Sequence, residues 1–286
     1  MRPRTLPAAV VPVLVGSAAA YYDGVLDWRA FSLALIGALA IQVAANFAND
    51  VSDAARGADP GDRIGPPRMV TSGVVSARQM WLATWIAIAV ATACGIGLTF
   101  LAGPVVIAIG VASILAMLGY VGGPMPYGYR GLGEVFVFVF FGLVATGASR
   151  LVHDGTVPGW VWLLGIPIGM LAAAILVANN LRDIATDARV GKKTLAVLLG
   201  RTRTRVLYRV LTWGAIAVTI VLAVARVTPL TTLAASLAAP LVPHLNALAR
   251  DGEGARLVPL LSGTARLHLF FGVLLSAGIA AAGFTR

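Results

Sequence analysis

Apolar residues run along this chain in long unbroken stretches. They show neither the alternation of a half-buried strand nor the one-sided stripe of a surface helix. Nine such stretches are read, at 7–22, 30–48, 80–101, 104–121, 132–149, 160–179, 207–225, 229–248 and 267–284. Several are close to the minimum of about 17 residues needed to cross a hydrocarbon core. Backbone groups in lipid must be satisfied within the segment that carries them, so each stretch is predicted to be a helix. No linker interrupts the series, and residues 1–286 read as a single transmembrane domain.

The polar positions between the stretches are distributed unevenly. With a cytoplasmic N-terminus, all Lys and Arg residues except Arg29, Arg150, Arg226 and Arg286 fall on the cytoplasmic side, that is 18 of 22. This is the bias that sets membrane topology, and one missed or false span would scramble it. Asp50, Asp53, Asp59, Asp62, Glu134, Asp183, Asp187, Asp251 and Glu253 share that side. Acids contribute little to topology, so their clustering calls for another cause.

Composition supports the membrane reading. The chain is 58% hydrophobic and 12% charged, with a mean hydropathy of +0.86, whereas a soluble domain carries about 25% charged residues. The chain is therefore an all-α polytopic membrane protein. The net charge of +10 then belongs to loops that meet anionic headgroups or phosphates, not to a nucleic-acid surface. "GRTRTRVLYR" (Gly200–Arg209) is read the same way, as a topology anchor. Cys94 is the sole cysteine, which excludes an intrachain disulfide. The start, "MRPR" before "AVVPVLVGSAAA", imitates a secretion signal. It is read as the first span, since a chain with many later spans needs no cleaved signal.

Two polar clusters carry candidate chemistry: "NFANDVSDAARGAD" (Asn46–Asp59) after the second stretch and "NNLRDIATDARVGKKT" (Asn179–Thr194) after the sixth. Both contain Asn-x-x-x-Asp, both add a further Asp, and both emerge on the same side, as a parallel internal repeat would. If the helices continue past the membrane edge, Asn46, Asn49, Asp50 and Asp53 share one face, and so do Asn179, Asp183 and Asp187. Two such faces opposed make a dense oxygen cage, and carboxylates that close repel unless protonated or bridged by cations. Hard oxygen donors without His or Cys suit Mg²⁺, which keeps waters and takes substrate phosphate as further ligand. Basic residues follow the paired acids of each cluster: Arg56, Arg63 and Arg68 after Asp50 and Asp53, and Arg189, Lys192 and Lys193 after Asp183 and Asp187. Carboxylates for a metal beside cations for phosphate oxygens describe a diphosphate site. The bland alternative is a pair of solvated, acidic helix ends.

"NDVSDAARG" (Asn49–Gly57) and "DIATD" (Asp183–Asp187) resemble the two motifs of the UbiA superfamily of intramembrane aromatic prenyltransferases, Asn-Asp-x-x-Asp-x-x-x-(Asp or Gly) and Asp-x-x-x-Asp. Gly57 stands where many relatives have a third Asp, with Asp59 two residues on. That variant is similar to the branch that prenylates 1,4-dihydroxy-2-naphthoate. So are "RPRTLPAAVVPVLVGS" (Arg2–Ser17), "DRIGPPRMVTSG" (Asp62–Gly73), "PYGYRGLGE" (Pro126–Glu134) and "NNLRDIATDARVGKKTLAVLLG" (Asn179–Gly200). The resemblance covers nearly the whole chain. Members of the branch often carry a few more residues before Arg2, so a trimmed start is expected.

The resemblance implies nine helices around a central cavity, capped by cytoplasmic loops, in the cell membrane. It implies Mg²⁺ held by Asn46, Asn49, Asp50, Asp53, Asp183 and Asp187, with the four aspartates catalytic. Arg68, Arg182, Lys192 and Lys193 are expected at the diphosphate of a polyprenyl diphosphate. Glu134, Tyr120 and Tyr127, with Tyr129 as a further candidate, are expected at the aromatic acceptor. Glu134 could instead pair with Arg130 or reach the interface. The implied reaction is polyprenyl transfer to 1,4-dihydroxy-2-naphthoate with decarboxylation, giving demethylmenaquinol for menaquinone biosynthesis. The rival acceptors are 4-hydroxybenzoate, homogentisate or a sugar phosphate. A rival of another class is a cation-coupled transporter using Asp50 and Asp183, but its site would be expected near the midplane and not at one edge. His153 is read as a solvated loop residue, and His244 and His268 as structural. Gly122, Gly123, Gly128, Gly131 and Gly133 read as a mobile loop, with no following Lys to make a phosphate loop.

Overall fold

The computed structural model describes residues 5–57, 68–122 and 126–284, and these are helical with no strand. In chain order the helices are α1 (Pro7–Tyr22), α2 (Trp28–Ala55), α3 (Ala77–Ala102), α4 (Val105–Val121), α5 (Gly133–Val137), α6 (Ala145–Asp154), α7 (Gly159–Arg189), α8 (Leu195–Val224), α9 (Leu241–Asp251) and α10 (Val258–Gly283). A π-helical stretch, Phe138–Val144, joins α5 to α6, so Gly133–Asp154 runs as one span. A 3₁₀ stretch, Leu230–Ala238, meets α9 at a bend of 42°. Each apolar stretch of the sequence coincides with one of these helices or with the bent pair.

Trp28–Ala55, Ala77–Ala102, Gly133–Asp154, Gly159–Arg189, Leu195–Val224 and Gly254–Gly283 are long and apolar enough to cross a bilayer. The bent pair raises the number from six to seven. α1 and α4 are apolar but shorter, at 16 and 17 residues. By length, then, the described residues yield fewer spans than the nine expected.

α7 is the central helix. Its Leu164, Ile168, Leu171 and Leu181 are buried with Val11 and Val15 of α1, Tyr208 and Ile216 of α8, and Leu267, Phe271 and Leu275 of α10. The outward faces keep large apolar side chains exposed, among them Trp85, Ile86, Phe100, Val111 and Leu115. In water such patches would drive association, but lipid tails solvate them. Small residues set the tightest helix contacts. A Cβ on Gly142, in the π stretch, would come within 2.5 Å of the Gly169 Cα and 2.6 Å of the Gly165 carbonyl oxygen. The wide turn of the π-helix therefore lies directly against the backbone of α7.

The end of the bundle away from the acidic clusters has a polar lock. Arg150 of α6 is buried, and its guanidinium donates to Asp23 at 2.8 Å and to Asp154 at 2.7 Å. One turn on, the His153 ring sits 3.1 Å from the Ser17 hydroxyl, while its Nδ1 accepts the Asp27 backbone N–H. His153 is thus not the solvated loop residue expected: it is buried in α6, because Ser17 and Asp27 satisfy both ring nitrogens.

Candidate active site

α2 does not stop where its apolar run stops. It continues to Ala55, so Gln42, Asn46, Asn49 and Asp53 fall on one stripe, and all four line a cavity. α7 likewise runs on to Arg189, and its Ala172, Ile175, Leu176, Asn179 and Asn180 line the same cavity. Thr5, Ala8 and Ala9 close it from the α1 side, Ser113, Met117 and Tyr120 from α4, and Phe136, Phe140 and Phe141 from α5 and the π stretch. The cavity is therefore central and apolar over most of its wall, with its polar groups gathered at the end where α2 and α7 carry the acidic motifs.

The first motif is held by charge. Asp53 is buried; its Oδ2 accepts from Arg68 Nη2 at 2.5 Å and its Oδ1 from the Tyr129 hydroxyl at 2.8 Å. Lys192 Nζ stands 3.8 Å from the same Oδ1. Asp50, also buried, faces the segment after the first motif, where the backbone N–H groups of Met69 and Val70 donate to it at 3.3 and 3.4 Å. Asn46 Nδ2 donates to Thr5 Oγ1 at 3.1 Å. Arg56 donates to the Val121 carbonyl and lies over the Tyr129 ring.

The second motif has its own counter-ion. Arg182 forms a two-pronged pair with Asp183, Nε to Oδ1 and Nη2 to Oδ2 both at 2.6 Å, and its Nη2 also donates to Asn179. Asp187 is buried, and its backbone carbonyl accepts the Lys192 N–H at 2.9 Å, which turns the chain after α7 back toward the cavity. Lys192 lines the cavity, while Lys193 is exposed and lies outside the wall.

Glu134 is buried and accepts from Asn180 Nδ2 at 2.9 Å. It neither pairs with Arg130 nor reaches the surface. Tyr120 and Tyr127 line the cavity. Tyr127 stacks on Phe136 with ring centroids 3.9 Å apart, and its hydroxyl donates to the Ala116 carbonyl. Burial, with the charge of Asp53 added, raises the Tyr129 phenol above its ordinary pKa, so it stays protonated as the donor to Asp53.

The structure thus joins Asn46, Asn49, Asp53, Arg68, Lys192, Tyr120 and Tyr127 in one cavity wall. Asp50, Asp183, Asp187 and Arg182 sit buried in the motifs beside it, outside the wall itself. Thr5, Gln42 and Asn180 were missed from the sequence. Gln42 had a signal, since it is a polar residue one helical turn before Asn46 inside an apolar run. Asp59, Asp62, Arg63 and Gly123 lie outside the described residues.

The donor set suits a hard cation: carboxylates and side-chain amides, with no thiolate or imidazole among the described residues of the wall. Among the described residues no three acidic, His or Cys side chains converge into a ready cage. Asp53 and Asp183 are instead neutralised by Arg68, Lys192 and Arg182. A site of this kind fits a metal that arrives with further ligands of its own, such as phosphate oxygens.

Residues 9–256 match the UbiA prenyltransferase family. The chain is 42% identical over 282 residues to a 1,4-dihydroxy-2-naphthoate octaprenyltransferase of Mycobacterium tuberculosis, spanning 98% of this chain and 94% of the relative. It is 34% identical over 286 residues to the Escherichia coli protein of the same name, at 98% and 93% coverage. Among solved structures, the apo form of a UbiA homolog from Aeropyrum pernix K1 superposes with a TM-score of 0.73 at 17% identity, over 98% of both chains. A UbiA homolog from Archaeoglobus fulgidus bound to GPP and Mg²⁺ superposes with a TM-score of 0.64 at 19% identity, over 99% of this chain and 97% of that one.

Proposed function

The chain belongs to the UbiA prenyltransferase family, and we infer that it is the integral membrane enzyme that transfers a polyprenyl group to 1,4-dihydroxy-2-naphthoate in menaquinone biosynthesis. The observation that carries the reading is the meeting of an apolar cavity with a buried, charge-matched polar end, in a chain 42% identical to a protein named for that activity. A lipid with a polyanionic head has this same division.

In this reading the isoprenoid tail lies along the apolar wall and the diphosphate lies between the α2 and α7 motifs. Asn46, Asn49, Asp50, Asp53, Asp183 and Asp187 would hold Mg²⁺. When bound, Mg²⁺ draws charge from the diphosphate oxygens and eases their departure. Arg68 and Lys192, with Arg182 and Lys193 behind them, neutralise the leaving group. The wall excludes water while the C–O bond of the prenyl donor breaks and diphosphate departs with the electron pair. Tyr120, Tyr127 and Glu134 orient the acceptor so that its electron-rich ring meets the allylic cation. The new C–C bond forms at the carbon bearing the carboxylate. The bond to CO₂ then breaks, and its electrons restore the aromatic ring.

The stoichiometry tests this. Acceptor labelled in the carboxyl carbon is expected to release label and diphosphate in equal amounts, with Mg²⁺ required. A prenylated product that keeps the label would mean another regiochemistry, and preference for 4-hydroxybenzoate would assign the chain to another branch.

The same reading takes α1 and α4 as short spans, giving nine in one domain, with the site on the cytoplasmic side of the cell membrane. The Arg and Lys bias supports it. Ser72 and Thr202 are exposed, and Cys94 is buried. In a Cys94→Ala background, cysteines placed at either position are expected to react in intact cells with a membrane-permeant thiol reagent only. Reaction of both with an impermeant reagent would reverse the orientation.

A further inference from the structure

Tyr129 touches both ends of this site from outside the two acidic motifs. It comes from the short 3₁₀ turn Tyr127–Tyr129, far in sequence from either motif. Its hydroxyl donates to Asp53 of the first motif at 2.8 Å. Two cations lie against its ring: the Arg56 guanidinium 5.0 Å from the centroid and the Lys192 ammonium at 4.9 Å. Its backbone carbonyl accepts the Lys193 N–H at 3.2 Å. Arg56 closes the first motif and Lys192 follows the second, and Lys192 also stands 3.8 Å from Asp53.

We propose that Tyr129 is a positioning residue that latches the first acidic motif to the basic segment behind the second, through its hydroxyl on Asp53 and its ring against Lys192 and Arg56. The inference rests on the proposed reaction, and assigns to this tyrosine the register between the two halves of its diphosphate site. The two contacts act on different things. A hydroxyl that donates to one oxygen of a carboxylate fixes which way the other oxygen points, and outer partners of this kind govern metal affinity. A ring that faces a flexible lysine restricts where its ammonium can stand, and so how well it is prepared for a phosphate oxygen.

The contacts can be removed one at a time. Tyr129→Phe keeps the ring and loses the hydroxyl; Tyr129→Leu loses both. The full chain, purified in detergent, is titrated with inorganic diphosphate at several Mg²⁺ concentrations, and kcat and KM for the prenyl donor are measured alongside. Tyr129→Phe is expected to raise the Mg²⁺ needed for half-maximal diphosphate binding by about tenfold, with diphosphate affinity at saturating Mg²⁺ and thermal stability unchanged. Tyr129→Leu is expected to weaken diphosphate binding by a further fivefold or so even at saturating Mg²⁺, raising KM for the donor. A Tyr129→Phe protein with an unaltered Mg²⁺ requirement overturns the latch. That variant is near-isosteric, so it decides the question even where Tyr129→Leu does not fold. No acceptor enters the binding measurement, so an error in the acceptor leaves the latch standing. Absence of Mg²⁺-dependent diphosphate binding in the unaltered protein would overturn both.

Discussion

Asp53→Ala and Asp183→Ala are each expected to lower kcat/KM by about 10²- to 10³-fold, the scale seen when a preorganised electrostatic partner of a developing charge is removed. Asp50→Ala and Asp187→Ala are expected to follow the same pattern. Asp53 and Asp183 are also the buried partners of Arg68 and Arg182, so each loss carries a stability cost of about 3 kcal/mol, and thermal unfolding of the same variants separates that cost from the loss of turnover. The argument is sharpest at Asp53, where Arg68 and Lys192 converge on one carboxylate. Without that carboxylate the two cations have no fixed direction, and the diphosphate meets them unprepared. Asp251 is the control: it is exposed on α9, paired with its neighbour Arg250, and remote from the cavity wall. Asp251→Ala is expected to stay within about twofold, the usual range for an exposed pair. Steady-state kinetics with a prenyl diphosphate series at saturating Mg²⁺ checks all five. Robust activity in Asp183→Ala would remove the second motif from the chemistry.

Arg150→Ala is expected to cost about 3 kcal/mol of stability, the scale for breaking a buried ion pair from one side. The Arg150 side chain is 3% exposed and bridges Asp23, at the end of α1, to Asp154, at the end of α6. Removing the guanidinium leaves both acids facing a void with no counter-charge. Gly16 of α1 lies so close to α6 that a Cβ on it would come within 2.6 Å of the Ser149 Cβ and 2.9 Å of the Arg150 backbone nitrogen, so the two helices cannot close further. Thermal unfolding in detergent should show the loss while kcat at low temperature changes little, because the lock is at the opposite end from the acidic motifs. An Arg150→Ala protein that melts like the unaltered one would mean Asp23 and Asp154 are already satisfied by solvent.

Much of this was legible in the chain before its shape was known. Apolar run length alone located the long helices, because lipid leaves a backbone one way to satisfy itself, but it missed the 3₁₀ turns Tyr127–Tyr129 and Gly254–Leu257 and the first turns of α8. The reach of α2 and α7 past those runs entered only as a condition; once it is met, the spacing brings Asn46, Asn49 and Asp53 to the cavity wall and leaves Asp50, Asp183 and Asp187 beside it. What could not be read depended on partners distant in sequence. His153 looked like a loop residue because Ser17 and Asp27 are invisible from position 153. Glu134 had Arg130 as its nearest cation, yet Asn180 of α7 is what it meets. Tyr129 was one tyrosine among three until the turn at 127–129 brought it to Asp53. The bend before α9 and the π turn left no mark either. "FVFFGLV" is apolar in any helical geometry, and its close approach to the backbone of α7 at Gly142 cannot be read from it.

That wide turn also governs what changes of length the chain can absorb. A regular helix advances about 100° per residue, so a change of length within Phe138–Val144 that the π turn did not absorb would turn everything after it by that angle. Phe136 and Phe140, upstream and within the stretch, face the cavity; Arg150 and His153, downstream, face Asp23 and Ser17. The π turn is what lets one continuous span serve both alignments. A gap there would keep the helix and the hydrophobicity intact and still unhitch one end of the bundle from the other. Insertions and deletions are therefore expected to be tolerated in the loops of this chain and not in this apolar stretch, featureless in composition though it is.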